Sequence, residues 1–273
     1  MSYGRGRNAA YGALRPEQLA EKLAEAPIAY VPWGALEWHS MHLPVGLDGL
    51  VAECIAERAV ERTGGVMLPT MYLPITTLPH QFSITFRAAT VQAVLDDLFA
   101  ELARVGFRVV VLLSGHYAQG HELVLMDAAE RAIEQHNLLV LATPPLALLG
   151  EEYLDHAGRW ETAQLLATHP SLVDLRALVR ALEQYPAGHV SDLGILGELP
   201  MSATAASGEV VIEQALDAIA RWAALLLQAN DPQPLREFYA RRRAQYQPFM
   251  DRYFNGSHEE AAAAWWSERV KRD

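Results

Sequence analysis

Residues 107–116 read FRVVVLLSGH, a continuous apolar run rich in β-branched side chains. Such a run is typical of a strand that is buried on both faces of a parallel sheet. The segment before it, residues 90–105, has helical spacing and stops at Gly106, and a second helical segment extends from about Gly120 to His136. The strand pattern then returns in LLVLATPPL, residues 138–146.

The same alternation of helix and strand extends in both directions from this run. Upstream, a helix at 16–26 precedes the apolar strand IAYVPWG (28–34), and a helix at 47–63 follows it. The segments VMLPTMYLP (66–74) and SITFRAAT (83–90) are predicted to be extended, residues 160–184 to be helical in two pieces, and residues 209–229 to form one long helix. This alternation predicts an α/β layered fold with a mostly parallel sheet.

Composition excludes several classes of partner. The chain has 273 residues, 51% of them hydrophobic, and a formal net charge of -11, so its field repels phosphate backbones and acidic lipids. We therefore expect no nucleic-acid and no membrane partner. The first residues lack the apolar core of a signal peptide, and the single cysteine, Cys54, fits a reducing compartment, so the predicted location is the cytoplasm.

The last part of the chain differs in composition from the rest. Residues 231–273 combine arginines with many aromatic side chains, which is too aromatic for a disordered tail. We interpret residues 1–230 as the main domain and residues 231–273 as an extension that packs on this domain or on a neighbouring subunit.

The densest group of polar side chains follows the strand at 28–34. The sequence GALEWHSMHLPVGLD (34–48) contains Glu37, His39, His42 and Asp48. If residues 36–39 are extended, Glu37 and His39 project to the same side, as two metal ligands must. A set of carboxylates and imidazoles suits zinc, manganese or iron, and the lack of cysteine ligands favours an open catalytic site over a closed structural one.

Two further clusters follow apolar stretches. VVVLLSGHYAQGHE places His116 directly after the buried strand. His121 and Glu122 are expected in the first turn of the next helix, with His121 exposed to solvent, and both are expected to have structural roles. YLDHAGRWET supplies Asp155, His156 and Glu161. Three such clusters are what a two-metal hydrolase site requires. A serine hydrolase is not expected, because Ser114 lacks the G-x-S-x-G elbow.

These motifs together resemble the creatininase family. PWGALEWHSMHLPVGLD is similar to the family pattern P-x-G-x-x-E-x-H-G-x-H-L-P-x-x-x-D, GFRVVVLLSGHYAQG to its strand followed by N-G-H, and DHAGRWETAQLLATHPSLVDL to its H-A-G-x-x-E-T-S segment. GILGELPMSATAASGEVVIEQAL resembles a later family segment, so the likeness covers roughly residues 16–228. It implies a three-layer α/β/α fold, a small-molecule substrate and a homo-oligomer such as a hexamer.

The resemblance also implies residue roles. Glu37, Asp48 and His116 match the ligands of one divalent ion, and His39 with a bridging Asp48 matches those of a second. His156 matches the residue that delivers a proton to the departing nitrogen, and Glu161 matches its acidic partner. Ala118 stands where creatinine hydrolase has a metal-binding glutamate, so we expect Glu161 to serve as a further ligand, with one or two ions of zinc, manganese or iron per chain.

Three functions remain open from the sequence. The leading prediction is metal-dependent cleavage of a C–N bond in an amide or cyclic amide of a small polar substrate. The alternative is hydrolytic C–C ring opening of an oxidised cyclitol or sugar-like ring, for which Arg87, His80 and Gln81 are the candidate hydroxyl-binding groups. The third is a binding protein without catalysis, suggested by Ala118. The predicted substrate-binding residues are Tyr117, Arg87, His80 and Trp160.

Overall fold

The central sheet is built around the strand at the centre of the sequence pattern. In the computed structural model, which describes residues 9–184 and 190–270, β4 (Val109–Ser114) lies between β1 (Ile28–Gly34) and β5 (Leu139–Thr143). Two short strands, β2 (Val66–Met67) and β3 (Met71–Tyr72), pair with the other side of β1. All of these pairings are parallel, and every residue of β1, β4 and β5 is buried, which confirms the predicted sheet.

Helices cover both faces of the sheet in two groups. The described α-helices are α1 (Pro16–Glu25), α2 (Leu47–Thr63), α3 (Ala88–Val105), α4 (Gln119–His136), α5 (Arg159–Thr168), α6 (Leu175–Gln184), α7 (Ala205–Ala229), α8 (Gln233–Tyr253) and α9 (His258–Val270). In one group, α2, α5 and α7 pack together, and α2 contacts β1. The other group contains α3, α4 and α8, and its helices α4 and α8 contact β5. The predicted three-layer α/β/α fold is therefore confirmed.

Local capping explains where the helices depart from their predicted bounds. α7 starts at Ala205, before the predicted residue 209, because the Thr204 hydroxyl accepts a hydrogen bond from the Ser207 N–H at 3.0 Å and so caps the helix. The extended conformation predicted for residues 83–90 is wrong at its end, since α3 already begins at Ala88. α3 ends as predicted, because Gly106 adopts a left-handed φ of 114°.

Two glycines allow the start of α2 to lie against the ends of β1 and β4. A Cβ on Gly34 would lie 2.3 Å from the Gly49 nitrogen, and one on Gly115 would lie 2.1 Å from the Asp48 carbonyl oxygen. No other residue fits at such approaches without moving the backbone. Asp48 is thereby held at the carboxyl edge of the sheet, beside the segments that follow β1 and β4.

The C-terminal residues form two helices that contact the main body. The buried Tyr239 hydroxyl on α8 donates to the Val140 carbonyl at 2.6 Å and accepts from the Ala142 N–H at 3.0 Å. Among the described strands β5 is the last on its side of the sheet, so Tyr239 satisfies backbone groups that none of these strands pairs. The division of the chain at residue 230 stays a prediction. Among the described helices, none combines the length and apolar character needed to cross a bilayer.

Candidate metal centre

The side chains predicted as metal ligands meet at the carboxyl edge of the sheet. Ligand atoms of Glu37, Asp48 and His116 lie within 4.8 Å of one another, as do those of His39, Asp48 and Glu161. Asp48 belongs to both groups, which is the position of a carboxylate that bridges two ions. A third overlapping group joins Glu37 and His39 to His156. The structure therefore brings together all of the predicted ligands and the predicted proton carrier.

Backbone carbonyl groups orient the three histidine rings. His39 Nδ1 lies 3.0 Å from the Glu37 carbonyl oxygen, so its Nε2 faces Asp48 Oδ1 at 2.9 Å. The ring of His116 is reversed: Nε2 donates to the Ile75 carbonyl at 3.0 Å, and Nδ1 lies 2.9 Å from Glu37 Oε2. His156 Nε2 lies 2.9 Å from the Trp38 carbonyl oxygen. Second partners of this kind hold metal-binding imidazoles in one tautomer and one orientation.

The buried atoms of this cluster have the arrangement of ligands around a cation. Within the described ranges, Glu37 Oε2, His39 Nε2 and both carboxylate oxygens of Asp48 have no hydrogen-bond partner of acceptable geometry, although some are only 2.9 Å apart. Leaving such atoms unsatisfied costs about 1–3 kcal/mol each, and more when they are charged. Their convergence, together with the mixed carboxylate and imidazole donors, fits a divalent ion of the zinc or manganese type.

The electrostatic field of the cluster favours positive charge. Burial opposes the charged form of His39, but the carboxylates of Asp48 and Glu161 outweigh it and raise its pKa to about 10. Burial likewise opposes charge on His116, and Glu37 and Asp48 raise the pKa of this ring well above its usual range. Burial and the neighbouring His39 lower the pKa of His156 to about 4, so this imidazole is neutral at pH 7. The negative field that favours protonation of His39 and His116 would equally stabilise a divalent cation.

Glu161 reaches the cluster because the start of α5 is firmly placed. The Asp155 carboxylate accepts hydrogen bonds from the N–H groups of Trp160 at 2.7 Å and Glu161 at 3.1 Å, in the first turn of the helix. His156 is paired with Leu196 through two backbone hydrogen bonds of 2.8 and 2.9 Å. Burial raises the pKa of Glu161 well above its usual range, and the neighbouring Asp48 adds to this effect. Asp155 is thus a positioning residue for Glu161.

A cavity of about 380 Å³ opens onto one side of the cluster. Glu37, His116 and His156 line it, together with the predicted substrate-binding residue Tyr117. His39, Asp48 and Glu161 are not among its described lining residues. The three other predicted substrate-binding residues are not among its described lining residues. Arg87 is exposed at the start of α3, the His80 ring stacks on Trp38 at 4.6 Å, and Trp160 packs on Tyr153 at 4.9 Å.

Neighbouring polar residues have structural surroundings. His42 Nε2 lies 2.9 Å from the Thr162 hydroxyl on α5, and the Ser114 hydroxyl donates to the His116 carbonyl at 2.8 Å. The expectation that His121 is solvated is wrong: it is fully buried, with its ring 5.1 Å from that of His116. Glu122 is fully buried and bonded to Arg242, a partner from the extension that no local pattern in the sequence indicates.

Comparison with known proteins places this centre in a family. The model of the family described as creatininase, creatinine amidohydrolase, matches residues 13–223. The chain belongs to the creatininase family. The matched range contains all of the clustered ligands, from Glu37 to Glu161, while α8 and α9 lie beyond it.

Individual relatives and solved structures agree with this membership. Creatinine amidohydrolase of Pseudomonas putida is 28% identical over 185 residues, covering 56% of this chain and 68% of the relative. Mycofactocin precursor peptide peptidase of Mycolicibacterium smegmatis is 29% identical over 220 residues, covering 72% and 85%. A crystal structure of creatinine amidohydrolase has a TM-score of 0.67 at 22% identity, covering 81% of this chain and 97% of its own, and shows the shared creatininase fold.

Proposed function

We propose that this protein is a divalent-metal-dependent hydrolase that cleaves a C–N bond of an amide in a small substrate. The observation that carries the proposal is the pair of ligand groups, Glu37–Asp48–His116 and His39–Asp48–Glu161, that share Asp48. Both named relatives above act on C–N bonds by their descriptions, and solved creatininases include a mutant described as Zn-Zn type and one described as creatininase Mn.

Glu161 gives the second ion a ligand in spite of Ala118. Its Oε2 lies 3.6 Å from His39 Nε2, and it shares a ligand group with His39 and Asp48. Ala118 lines the cavity and offers no ligand atom. We infer that Glu161 takes the place of the carboxylate that creatinine hydrolase has at the position of Ala118. This removes the reason for regarding the protein as a binding module without catalysis.

The residues around the cavity supply the remaining steps. When bound, a pair of divalent ions lowers the pKa of a water molecule and polarises the scissile carbonyl group. Glu37, His39, Asp48, His116 and Glu161 would hold the ions. His156, neutral at pH 7 and lining the cavity, accepts the proton that the attacking water loses and passes it to the departing nitrogen. The hydrogen bond from His156 Nε2 to the Trp38 carbonyl leaves Nδ1 available for this proton.

No observation favours the C–C ring-opening alternative. That alternative relied on Arg87, His80 and Gln81 as groups that bind hydroxyls, and within the described part of the chain none of the three lines the cavity. The polar lining groups are Glu37, His116 and His156 of the cluster, together with Asp155, Thr76, Tyr117, Gln119, Glu151 and Tyr246. Both named relatives, by contrast, act on C–N bonds by their descriptions. We therefore propose C–N hydrolysis alone.

Elemental analysis of protein purified without added metal tests the proposal. We expect about two ions per chain in the wild type and about one in Glu161→Gln, and loss of both ions with loss of amide hydrolysis in Asp48→Ala, because Asp48 bridges the sites. Glu57→Ala, which removes a carboxylate from the same helix outside the cluster, is the matched control and keeps the wild-type content. Unchanged metal content in Asp48→Ala contradicts the shared-ligand centre.

A further inference from the structure

Side chains from the C-terminal extension line the same cavity as the metal cluster. Tyr246 and Phe249 belong to α8, and Ala262 and Trp265 belong to α9. These helices start at Gln233 and His258, beyond the last residue matched by the family model, residue 223. The part of the cavity that is built by the extension is therefore an addition to the family's common domain.

Buried contacts fix α8 beside the cavity. Arg242 is 3% exposed and bonds through Nε and Nη2 to the two carboxylate oxygens of Glu122, at 2.8 and 2.7 Å. The Tyr246 hydroxyl contacts both Arg242 and Glu122, and the Arg242 guanidinium lies 4.9 Å from the centre of the Tyr246 ring. The part of α8 from Arg242 to Phe249, about two turns, is thus anchored on α4, whose first residues also line the cavity.

Separate contacts place α9. The Glu259 carboxylate accepts a hydrogen bond from the Ala88 N–H at 2.8 Å, at the start of α3. The contact suits a carboxylate, because the first N–H groups of a helix have no partner within it. At the other end, Arg252 and Tyr253 of α8 both bond to Glu268. Trp265, between these two contacts, is held in place from both sides.

The lining around these rings combines apolar side chains with the polar Thr76, Gln119 and Glu151. Its apolar part is larger than the two rings alone. Leu78, Leu154, Leu196 and Ala118 contribute to it, and the described lining contains no Lys or Arg side chain. At Ala118 the chain has a methyl group where creatinine hydrolase has a carboxylate, which makes this lining less polar. Aromatic rings bind other aromatic rings in stacked or edge-to-face arrangements, with an energy beyond that of the buried area alone.

We propose that Phe249 and Trp265 determine substrate specificity by binding an aromatic group that the substrate carries next to the scissile C–N bond. This inference rests on the proposed hydrolase function and adds the substrate class, an amide with an aromatic substituent. Arg242 and Tyr246 are positioning residues for Phe249, and Glu259 and Glu268 are positioning residues for Trp265.

Binding of two metal-chelating probes tests the proposal without turnover. Benzohydroxamate and acetohydroxamate share the chelating group and differ by the ring, so the ratio of their dissociation constants for the metal-loaded protein isolates binding of the ring. We expect Trp265→Leu and Phe249→Leu, which keep an apolar side chain, to weaken benzohydroxamate binding by about 3- to 10-fold and to leave acetohydroxamate within about 2-fold. Trp266→Leu, next on the same helix and outside the described lining, is the matched control.

The outcomes separate the two proposals. Wild-type protein that binds both hydroxamates equally, or Trp265→Leu that keeps the wild-type ratio, overturns the aromatic specificity while leaving the metal centre in place. If neither hydroxamate binds, the metal centre is refuted. In that case, saturation-transfer NMR compares the binding of benzamide with that of acetamide to the metal-free protein and to the same variants, which tests the role of the rings alone. A preference for benzamide that is lost in Trp265→Leu supports this role, and the absence of a preference overturns it.

Discussion

Replacing Arg242 by alanine is the sharpest test of how the extension is attached to the domain. The Arg242 side chain is 4% exposed and Glu122 is fully buried, and the two form a bidentate pair at 2.8 and 2.7 Å. Arg242→Ala leaves the Glu122 carboxylate in the interior without its counter-charge. It also removes the guanidinium that contacts the Tyr246 hydroxyl.

The expected loss of stability in Arg242→Ala follows from the burial of the ion pair. Breaking a buried ion pair from one side costs roughly 3–5 kcal/mol, a large part of the roughly 5–15 kcal/mol that separates a folded protein from its unfolded chain. The adjacent Arg243 provides the matched control, because it pairs with Asp127 and Glu130 at a side-chain exposure of 30%. Half-exposed pairs of this kind contribute about 0–1 kcal/mol each, so Arg243→Ala is expected to cost far less.

Urea unfolding followed by circular dichroism measures the difference. We expect a lower unfolding midpoint for Arg242→Ala than for Arg243→Ala, and a partial recovery when Glu122→Gln is added to Arg242→Ala, since the second change removes the uncompensated charge. Equal midpoints for Arg242→Ala and Arg243→Ala would refute the reasoning, because they would mean that burial of the pair has no energetic consequence.

Two further predictions concern the metal centre and the single thiol. Gly115→Ala is expected to lower the metal content, and to lower the free energy of unfolding by about 1–3 kcal/mol through the clash alone, because the added Cβ would lie 2.1 Å from the Asp48 carbonyl oxygen. Gly46→Ala is the control, because the nearest atom to its added Cβ is 3.7 Å away. Equal metal content in the two variants contradicts the close approach. Partial burial raises the pKa of the Cys54 thiol from its usual 9.0 to about 11. At pH 8 its thiolate fraction is therefore roughly 100-fold lower, and we expect a disulfide reagent to label it more slowly in the folded protein than in urea by about that factor, with the rate rising as the pH approaches 11. Equal labelling rates in the two conditions would argue against a shielded thiol.

The sequence predicted the sheet and its helices because their signals are local. β4 and β1 are apolar runs that are buried along their whole length, and α3 ends at Gly106 as its helix stop signal indicates. The error at residues 88–90 has a local cause as well. β-branched and aromatic residues at 84–86 favour an extended chain, and the helix that follows begins earlier than its own periodicity shows.

The metal ligands were predictable because they follow strand ends that the topology brings to one edge. Glu37 follows β1 and His116 follows β4, and parallel pairing of these strands makes their carboxyl ends neighbours. The environment of each side chain was not predictable to the same degree. His121 was expected in solvent and is buried beside His116, because the covering residues, among them those of α9, are far away in sequence.

The sequence by itself determined the fold class, the family and the residues that can bind metal, since these depend on periodicity and on motifs a few residues long. Only the tertiary structure decided that Arg242 pairs with Glu122 across 120 residues, and that Phe249 and Trp265 line the cavity. An aromatic, arginine-rich segment shows in its composition that it will be buried. Which surface it covers depends on contacts between distant residues, for which a single sequence contains no local signal.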